Sequence, residues 1–271
     1  MSFGPLVQPG WLRDRLGQPG LVVVDCRFVL GQPGAGATAW LEGHIPGAAV
    51  LDVDRDLSAE PGPDGRHPLP DANRFQDAAR EAGVGAGARV VAYDEAGEGG
   101  AARLWWLLRH FGHADAAVLD GGLRAWREAG GELHAGREEQ QAGDFVARPR
   151  EDDTVSATEI ERTAVPARRL LDARAPERFR GEIEPIDPVA GHIPGAGSVP
   201  AATVAPDGRF LTPAQLRARL GDQPFVAYCG SGVTACTLLV AAELASVEAR
   251  LYPGSWSEWS ASGRPAATGP G

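Results

Sequence analysis

Cysteine is scarce in this sequence. The three that occur, Cys26, Cys229 and Cys236, are too few and odd in number for a disulfide framework. None stands in a Cys-x-x-Cys pair or beside histidines at a zinc-like spacing, so neither a metal nor an organic cofactor is expected. Long apolar runs are also missing, and nothing approaches the roughly 20 residues that cross a bilayer. Residues Met1-Ser2-Phe3-Gly4-Pro5 have neither the basic start nor the apolar stretch of a secretion signal, so a cytoplasmic location is expected. Basic charge is in deficit, with 26 Lys and Arg against 36 Asp and Glu and a net charge of −10. Such a surface repels phosphate backbones and anionic lipids, so neither nucleic acid nor membrane is expected as a partner. A small anionic ligand needs a locally positive pocket.

What is present is an ordinary globular composition, 43% hydrophobic and 23% charged, in 271 residues, enough for two modest domains. The chain repeats itself once. Gly43-His44-Ile45-Pro46-Gly47-Ala48 returns as Gly191-His192-Ile193-Pro194-Gly195-Ala196. Ahead of each copy an apolar run ends in an acid, Leu21-Val22-Val23-Val24-Asp25 and Leu170-Leu171-Asp172. Behind them Val90-Val91-Ala92-Tyr93-Asp94 parallels Phe225-Val226-Ala227-Tyr228-Cys229, and Trp126 matches the Trp256–Trp259 region. Matches in the same order in both halves describe a duplicated domain.

Runs of four or five apolar residues bounded by Gly, Pro and Asp are read as buried strands. The stretches 101–111 and 233–244 have the apolar spread of covered helices. Strands alternating with helices predict an α/β fold, two tandem parallel sheets each flanked by helices on both faces. A polar stretch around Arg137-Glu138-Glu139-Gln140-Gln141 suggests a linker. The boundaries expected are 1–135 for the first domain, 136–155 for the linker and 156–271 for the second.

The halves diverge after the second Tyr-containing strand. Cys229-Gly230-Ser231-Gly232-Val233-Thr234-Ala235 stands where the first half has Asp94-Glu95-Ala96-Gly97-Glu98-Gly99-Gly100-Ala101. In an α/β sheet the turn leaving a strand's carboxyl end is where ligands bind. Glycines let successive N–H groups converge, and a following helix adds its positive end. Such a loop favours the thiolate of Cys229, the form that attacks sulfur. Cys26 is expected to be structural. Cys236 lies on the order of 10 Å along a helix from Cys229, too far for a disulfide. His44 and His192 occur in both halves and so are expected to brace the fold.

The Asp-x-Arg strand ends, both Gly-His-Ile-Pro-Gly-Ala segments, the Cys-Gly-Ser-Gly-Val-Thr-Ala loop and the Trp-rich ends together closely resemble the two-domain rhodanese family. That family includes thiosulfate and 3-mercaptopyruvate sulfurtransferases, and the resemblance spans nearly the whole chain. It implies a silent first domain and a second that carries sulfur as a Cys229 persulfide. The implied partners are a small anionic sulfur donor and a thiol, thioredoxin-like or cyanide acceptor, served by a monomer. Thiosulfate-type members carry basic residues after the cysteine, whereas this loop has no cation from Cys229 to Leu239, so the resemblance favours 3-mercaptopyruvate. By motif it assigns catalytic roles to Ser231, His67 and Asp54, the last two from the first domain. It assigns donor binding to Arg178 and to loop residues Gly230, Gly232, Val233 and Thr234. A second arginine sought just downstream of Arg178 is absent, since Glu182-Ile183-Glu184-Pro185-Ile186-Asp187 has none. The alternatives are a thiosulfate:cyanide sulfurtransferase proper and a non-catalytic rhodanese-like binding module. A Cys-dependent phosphatase is excluded by Ala235, which stands where an arginine six residues after the cysteine would clamp phosphate.

Overall fold

The computed structural model describes residues 3–162 and 169–270. The chain divides into two compact units. The first takes the described residues of Met1–Ala59, Pro70–Arg150 and Asp207–Arg209; the second takes those of Glu60–Leu69, Glu151–Pro206 and Phe210–Gly271.

The first unit runs β1 (Leu6–Val7), α1 (Pro9–Arg13), β2 (Leu21–Asp25), α2 (Ala35–Glu42), β3 (Ala49–Val50), α3 (Ala72–Glu81), β4 (Arg89–Tyr93), α4 (Gly100–His110), β5 (Ala116–Leu119) and α5 (Gly122–Glu128). Its five strands form a parallel sheet in the order β1-β5-β4-β2-β3. The second runs α6 (Ala157–Arg162), β6 (Arg169–Asp172), α7 (Pro176–Phe179), β7 (Gly197–Ser198), α8 (Ala201–Val204), α9 (Pro213–Leu220), β8 (Phe225–Tyr228), α10 (Ala235–Ala245), β9 (Ala249–Leu251) and α11 (Ser255–Ala261). Its four strands are also parallel, in the order β7-β6-β8-β9. The predicted class is therefore the observed one: two parallel sheets flanked by helices.

The central strands are unbroken apolar runs because helices cover both of their faces. All four residues of β8 are buried, and so is nearly every residue of α10. The helices start where side chains can replace missing backbone partners. Asp71 accepts from the Asn73 and Arg74 amides ahead of α3, and Thr212 and Gln215 close a capping box on α9. The Asp-x-Arg repeats have one structural meaning in both units. Arg27 grips Asp25 (2.6 Å) and the Gly43 carbonyl (2.7 Å), while Arg174 grips Asp172 (2.7 Å) and the Gly191 carbonyl (2.6 Å). Each ties a strand end to the Gly-His-Ile-Pro-Gly-Ala turn. His44 and His192 are buried there, each with a ring nitrogen on a backbone carbonyl, that of Trp40 (2.7 Å) and of Phe179 (2.8 Å).

Two segments differ from the sequence boundaries. Residues 136–150, expected to be linker, lie along the first unit, where the Gly143, Phe145 and Arg148 amides donate to the Arg80, Val84 and Phe111 carbonyls. Phe145 anchors the run by packing edge-on against Phe75, a reason that a polar composition conceals. Residues Glu60–Leu69, inside the expected first domain, belong to the second unit. The Arg66 amide donates to Ser257 Oγ (3.1 Å), and Gly62 and Gly65 close a tight turn. No helix among the described residues is long and apolar enough to cross a membrane.

Candidate active site

Strand β8 lies between β6 and β9, and Cys229 is the first residue past its carboxyl end. The side chain is buried. Its loop is pinned from one side by the first turn of α11. The Cys229 amide donates to Ser255 Oγ (3.1 Å), the Trp256 amide donates to the Cys229 carbonyl (3.0 Å), and the Ser257 amide donates to the Gly230 carbonyl (2.8 Å). Ser255 is fully buried at φ +53°, a left-handed conformation that costs a serine on the order of 1 kcal/mol or more. It stands there with its hydroxyl donating to the Tyr252 carbonyl (3.0 Å) while accepting from Cys229.

Gly232 turns the loop back at φ +78° and donates its N–H to Cys229 Sγ at 3.2 Å. A Cβ at Gly232 would lie 2.4 Å from the Pro253 carbonyl oxygen, so glycine is needed for both conformation and space. Val233 is buried and Thr234 half-buried in the turn that enters α10. Their carbonyls accept from the Cys236 amide (3.0 Å) and the Thr237 amide (3.0 Å).

Ser231 and His67 are brought together. Ser231 Oγ lies 2.7 Å from His67 Nδ1, and both residues are buried. His67 comes with the Glu60–Leu69 excursion, so it sits in the same unit as Cys229 rather than in the first domain where its position in the chain had placed it. Asp54 is in the first unit, in the turn after β3, where its amide donates to Asp52 Oδ1 (2.9 Å).

Arg178, at the end of α7, lies beside Gly230: a Cβ there would be 3.5 Å from Arg178 Nη1. It donates to Glu184 through Nε (3.2 Å) and Nη2 (2.6 Å), and through Nη2 to Asp187 (3.1 Å). Asp187 takes a second arginine, Arg66, at 2.7 Å, and Glu184 also meets Arg174 at 3.3 Å. Burial pushes the Glu184 carboxyl up, but the Arg178 hydrogen bond and charge and the Asp187 and Ile186 amides outweigh it. The group is held below the usual range, as an acceptor anion. Two arginines thus stand beside the Cys229 loop, each held in place by buried carboxylates.

The rhodanese-like domain profile matches twice, over residues 8–129 and 156–262. The chain belongs to the rhodanese family. A Pseudomonas aeruginosa protein provisionally named as a 3-mercaptopyruvate sulfurtransferase is 47% identical, covering 99% of this chain and 100% of its own. A Mycobacterium tuberculosis protein provisionally named as a thiosulfate sulfurtransferase, SseB, is 42% identical over 88% of this chain and 87% of its own. The crystal structure of SseA from Escherichia coli, described as showing the rhodanese fold and mechanism of 3-mercaptopyruvate sulfotransferases, superposes with a TM-score of 0.83. The two are 34% identical, with 95% of this chain and 100% of that one covered. The activity is therefore that of a sulfurtransferase, passing sulfur from a donor to an acceptor.

Within the rhodanese duplication the first unit fills its own loop. Asp94, where the second unit has Cys229, is buried and accepts from the amides of Gly97 (2.8 Å), Gly99 (3.0 Å) and Ala101 (3.3 Å). Burial, followed by the nearby Glu98 charge, raises its carboxyl to about 7 despite those three donors. Cys26, at the end of β2, is buried, and desolvation pushes its thiol well up, as suits an inert core residue. Cys236 is buried in the first turn of α10 with its thiol toward the Gly232 carbonyl (3.4 Å). Sequence reasoning missed Arg66, Asp187 and Ser255. The only signal for Ser255 was its place in the Trp-rich motif, and Arg66 had none beyond adjacency to His67.

Proposed function

We propose that this rhodanese-family enzyme takes sulfur from 3-mercaptopyruvate on Cys229 and passes it to a small thiol or a thioredoxin-like acceptor. The observation that carries the donor choice is the 2.7 Å contact between Ser231 and His67, one residue along the loop from Gly230, in a loop without a cation of its own. A proton relay serves a carbon leaving group; a dianion such as thiosulfate has no use for it.

Cys229 thiolate attacks the donor sulfur, the S–S bond forms, and the C–S bond breaks with its electron pair going to carbon. The leaving group is the enolate of pyruvate. Ser231, backed by His67, hands it a proton at carbon, and the persulfide's own proton passes to the Ser231–His67 pair to restore it, leaving the persulfide as an anion beside the Gly232 amide. Arg178 holds the donor carboxylate, since a guanidinium fork matches that group. An acceptor thiolate then attacks the outer sulfur and Cys229 leaves as thiolate, closing a ping-pong cycle. The amides of Gly230, Gly232, Val233 and Thr234 supply the field that steadies the sulfur anion. Three free cysteines suit a reducing compartment, which supports a cytoplasmic setting.

The test is Cys229→Ser in the full chain. Turnover of 3-mercaptopyruvate to pyruvate should vanish, and the unsubstituted protein incubated with donor should gain one sulfur, 32 Da by mass spectrometry, on the Cys229 peptide. Pyruvate release by the serine variant would sink the proposal.

A further inference from the structure

Ser231 and His67 stand 164 residues apart in the chain, and one residue of α11 is bonded to the neighbours of both. Ser257 lies in the first turn of that helix and is buried. Its amide donates to the Gly230 carbonyl (2.8 Å), on the residue just before Ser231. Its hydroxyl accepts from the Arg66 amide (3.1 Å), on the residue just before His67. The same hydroxyl donates to the Gly254 carbonyl (3.0 Å), which leaves its lone pairs for Arg66. With the 2.7 Å contact between Ser231 Oγ and His67 Nδ1, the residues Ser257, Gly230, Ser231, His67 and Arg66 close into a ring. The ring is tight where the Glu60–Leu69 excursion meets the helix. Gly65 has φ +110°, and a Cβ there would lie 2.9 Å from the Gly254 carbonyl oxygen and 2.9 Å from Ser257 Oγ. Glycine permits the approach that brings the Arg66 amide within reach of the hydroxyl.

Resting on the relay chemistry just described, we propose that Ser257 is a positioning residue of this enzyme, whose hydroxyl sets His67 against Ser231. It acts through His67 and not on the donor. Its two bonds divide the task. The amide belongs to the backbone, so it keeps Gly230 and the Cys229 loop in place whatever the side chain. The hydroxyl reaches the Arg66–His67 backbone and so governs the other side of the relay. A hydrogen bond weakens steeply as its angle and length depart from the optimum, and a catalytic group misplaced by about 1 Å costs on the order of 100-fold in rate. Removing the hydroxyl therefore loosens His67 while the thiol and its loop stay as they are.

The experiment is Ser257→Ala in the full-length protein, with turnover measured separately for 3-mercaptopyruvate and thiosulfate. With 3-mercaptopyruvate, kcat should fall about 10- to 100-fold while KM stays within a few-fold. Thiosulfate turnover should stay within a few-fold, and so should alkylation of Cys229 by iodoacetamide, in which the thiolate forms a C–S bond and iodide leaves. Ser257→Thr keeps a hydroxyl that can bond the carbonyl three residues back, and it should recover most of kcat. Ser231→Ala/Ser257→Ala should be no slower than Ser231→Ala, since a relay already broken has nothing left to align. Additive losses in that pair, an equal fall with both donors, or an undiminished kcat in Ser257→Ala overturns the assignment. The relay reading fails separately, if Ser231→Ala itself leaves 3-mercaptopyruvate turnover intact. Amide hydrogen exchange needs no donor and keeps the two apart. In Ser257→Ala, exchange at the Arg66 amide should quicken up to about 10-fold, the worth of one hydrogen bond, with the Cys229 loop unchanged. Unchanged exchange at Arg66 would overturn the assignment whatever the donor.

Discussion

The two glycines of the Cys229 loop should respond oppositely to the same one-methyl change. Gly232→Ala places a Cβ at φ +78°, which costs an L-residue about 1–2 kcal/mol. It also drives that carbon to 2.4 Å from the Pro253 carbonyl oxygen and 3.3 Å from Pro253 Cα, a backbone clash that no rotamer relieves. Overpacking of this kind costs about 1–3 kcal/mol, so the sum is on the order of 3 kcal/mol. At about 2–4 °C per kcal/mol for a chain of this class, Tm should drop by roughly 6–12 °C. The clash is relieved only by moving residue 232, and with it the N–H that donates to Cys229 Sγ. Losing one preorganised donor to an anion costs about 10²–10³ in rate, and it should do so for every sulfur donor. Gly230→Ala has no such conformational penalty. The atoms nearest its methyl would be Arg66 Nη2 and Arg178 Nη1, at 3.3 and 3.5 Å, the far ends of long side chains that need give by only a few tenths of an ångström. An unstrained Gly→Ala change contributes about 0.4–1 kcal/mol of stability, so Tm should hold. The methyl stands against Arg178, the residue proposed to hold the donor carboxylate, so kcat/KM for 3-mercaptopyruvate should fall. Differential scanning fluorimetry and single-turnover sulfur transfer test both variants. A Gly232→Ala protein with wild-type Tm and wild-type transfer would refute the account of the loop.

Ser231→Ala should lower kcat with 3-mercaptopyruvate by about 10²–10⁴, the worth of a positioned general acid, yet leave thiosulfate turnover within a few-fold, since sulfite departs without needing a proton on carbon. Equal losses in steady-state assays with the two donors would show that Ser231 and His67 act on Cys229 instead of the leaving group. Asp94 supplies a pH signature in the first unit. Its carboxyl is raised from the usual 3.8 to about 7, so the folded chain holds up to one proton more than the unfolded chain between those values. The stability it contributes is full below pH 3.8 and is lost as pH rises through 7, at up to about 1.4 kcal/mol per pH unit. Asp94→Asn does not titrate, so the fall in Tm between pH 5 and pH 8 should be shallower in that variant; parallel curves would contradict the raised value.

Much of the fold was legible because its signals are local. Arg27 reaches back two residues to Asp25, and Arg174 does the same to Asp172, so each Asp-x-Arg motif carries its own contact. The histidines of the repeated turn gave their bracing role away by appearing beside a thiol in one half and without one in the other. Cys229 was legible for the opposite reason, as the point where the copies part. What the sequence hid is long-range. Arg66 to Asp187 spans 121 residues, and His67 to Ser231 spans 164. The segment that carries Arg66 and His67 is a Pro- and Gly-rich stretch without period, with a tight turn at Gly62 and Gly65 and the Arg66 amide bonded to Ser257. No hydrophobic pattern marks the unit to which such a segment belongs. Strand β7 was hidden differently: Gly197 and Ser198 are exposed and have no apolar signature, and they are a strand only because β6 is beside them.

The two copies of the loop explain one another. In the first, three backbone amides converge on the Asp94 carboxyl group, tethered by its own side chain. In the second, the residue at the same strand end is a cysteine, and the Gly232 amide points at its sulfur. A persulfide adds one atom beyond Sγ, which puts its terminal charge at about the reach of a carboxylate oxygen from the backbone. Asp94 is in that sense a counterpart of the loaded state proposed for Cys229. The two loops also differ. Burial opposes ionisation of Asp94 most, and Glu98 adds to it with a negative charge where the second copy has the uncharged turn into α10. A cysteine at position 94 would therefore meet a loop that resists its thiolate, with no serine–histidine pair built on the sequence around it. Restoring the thiol alone should not restore transfer if, as proposed, the working loop depends on its amides, its charge and its proton relay together.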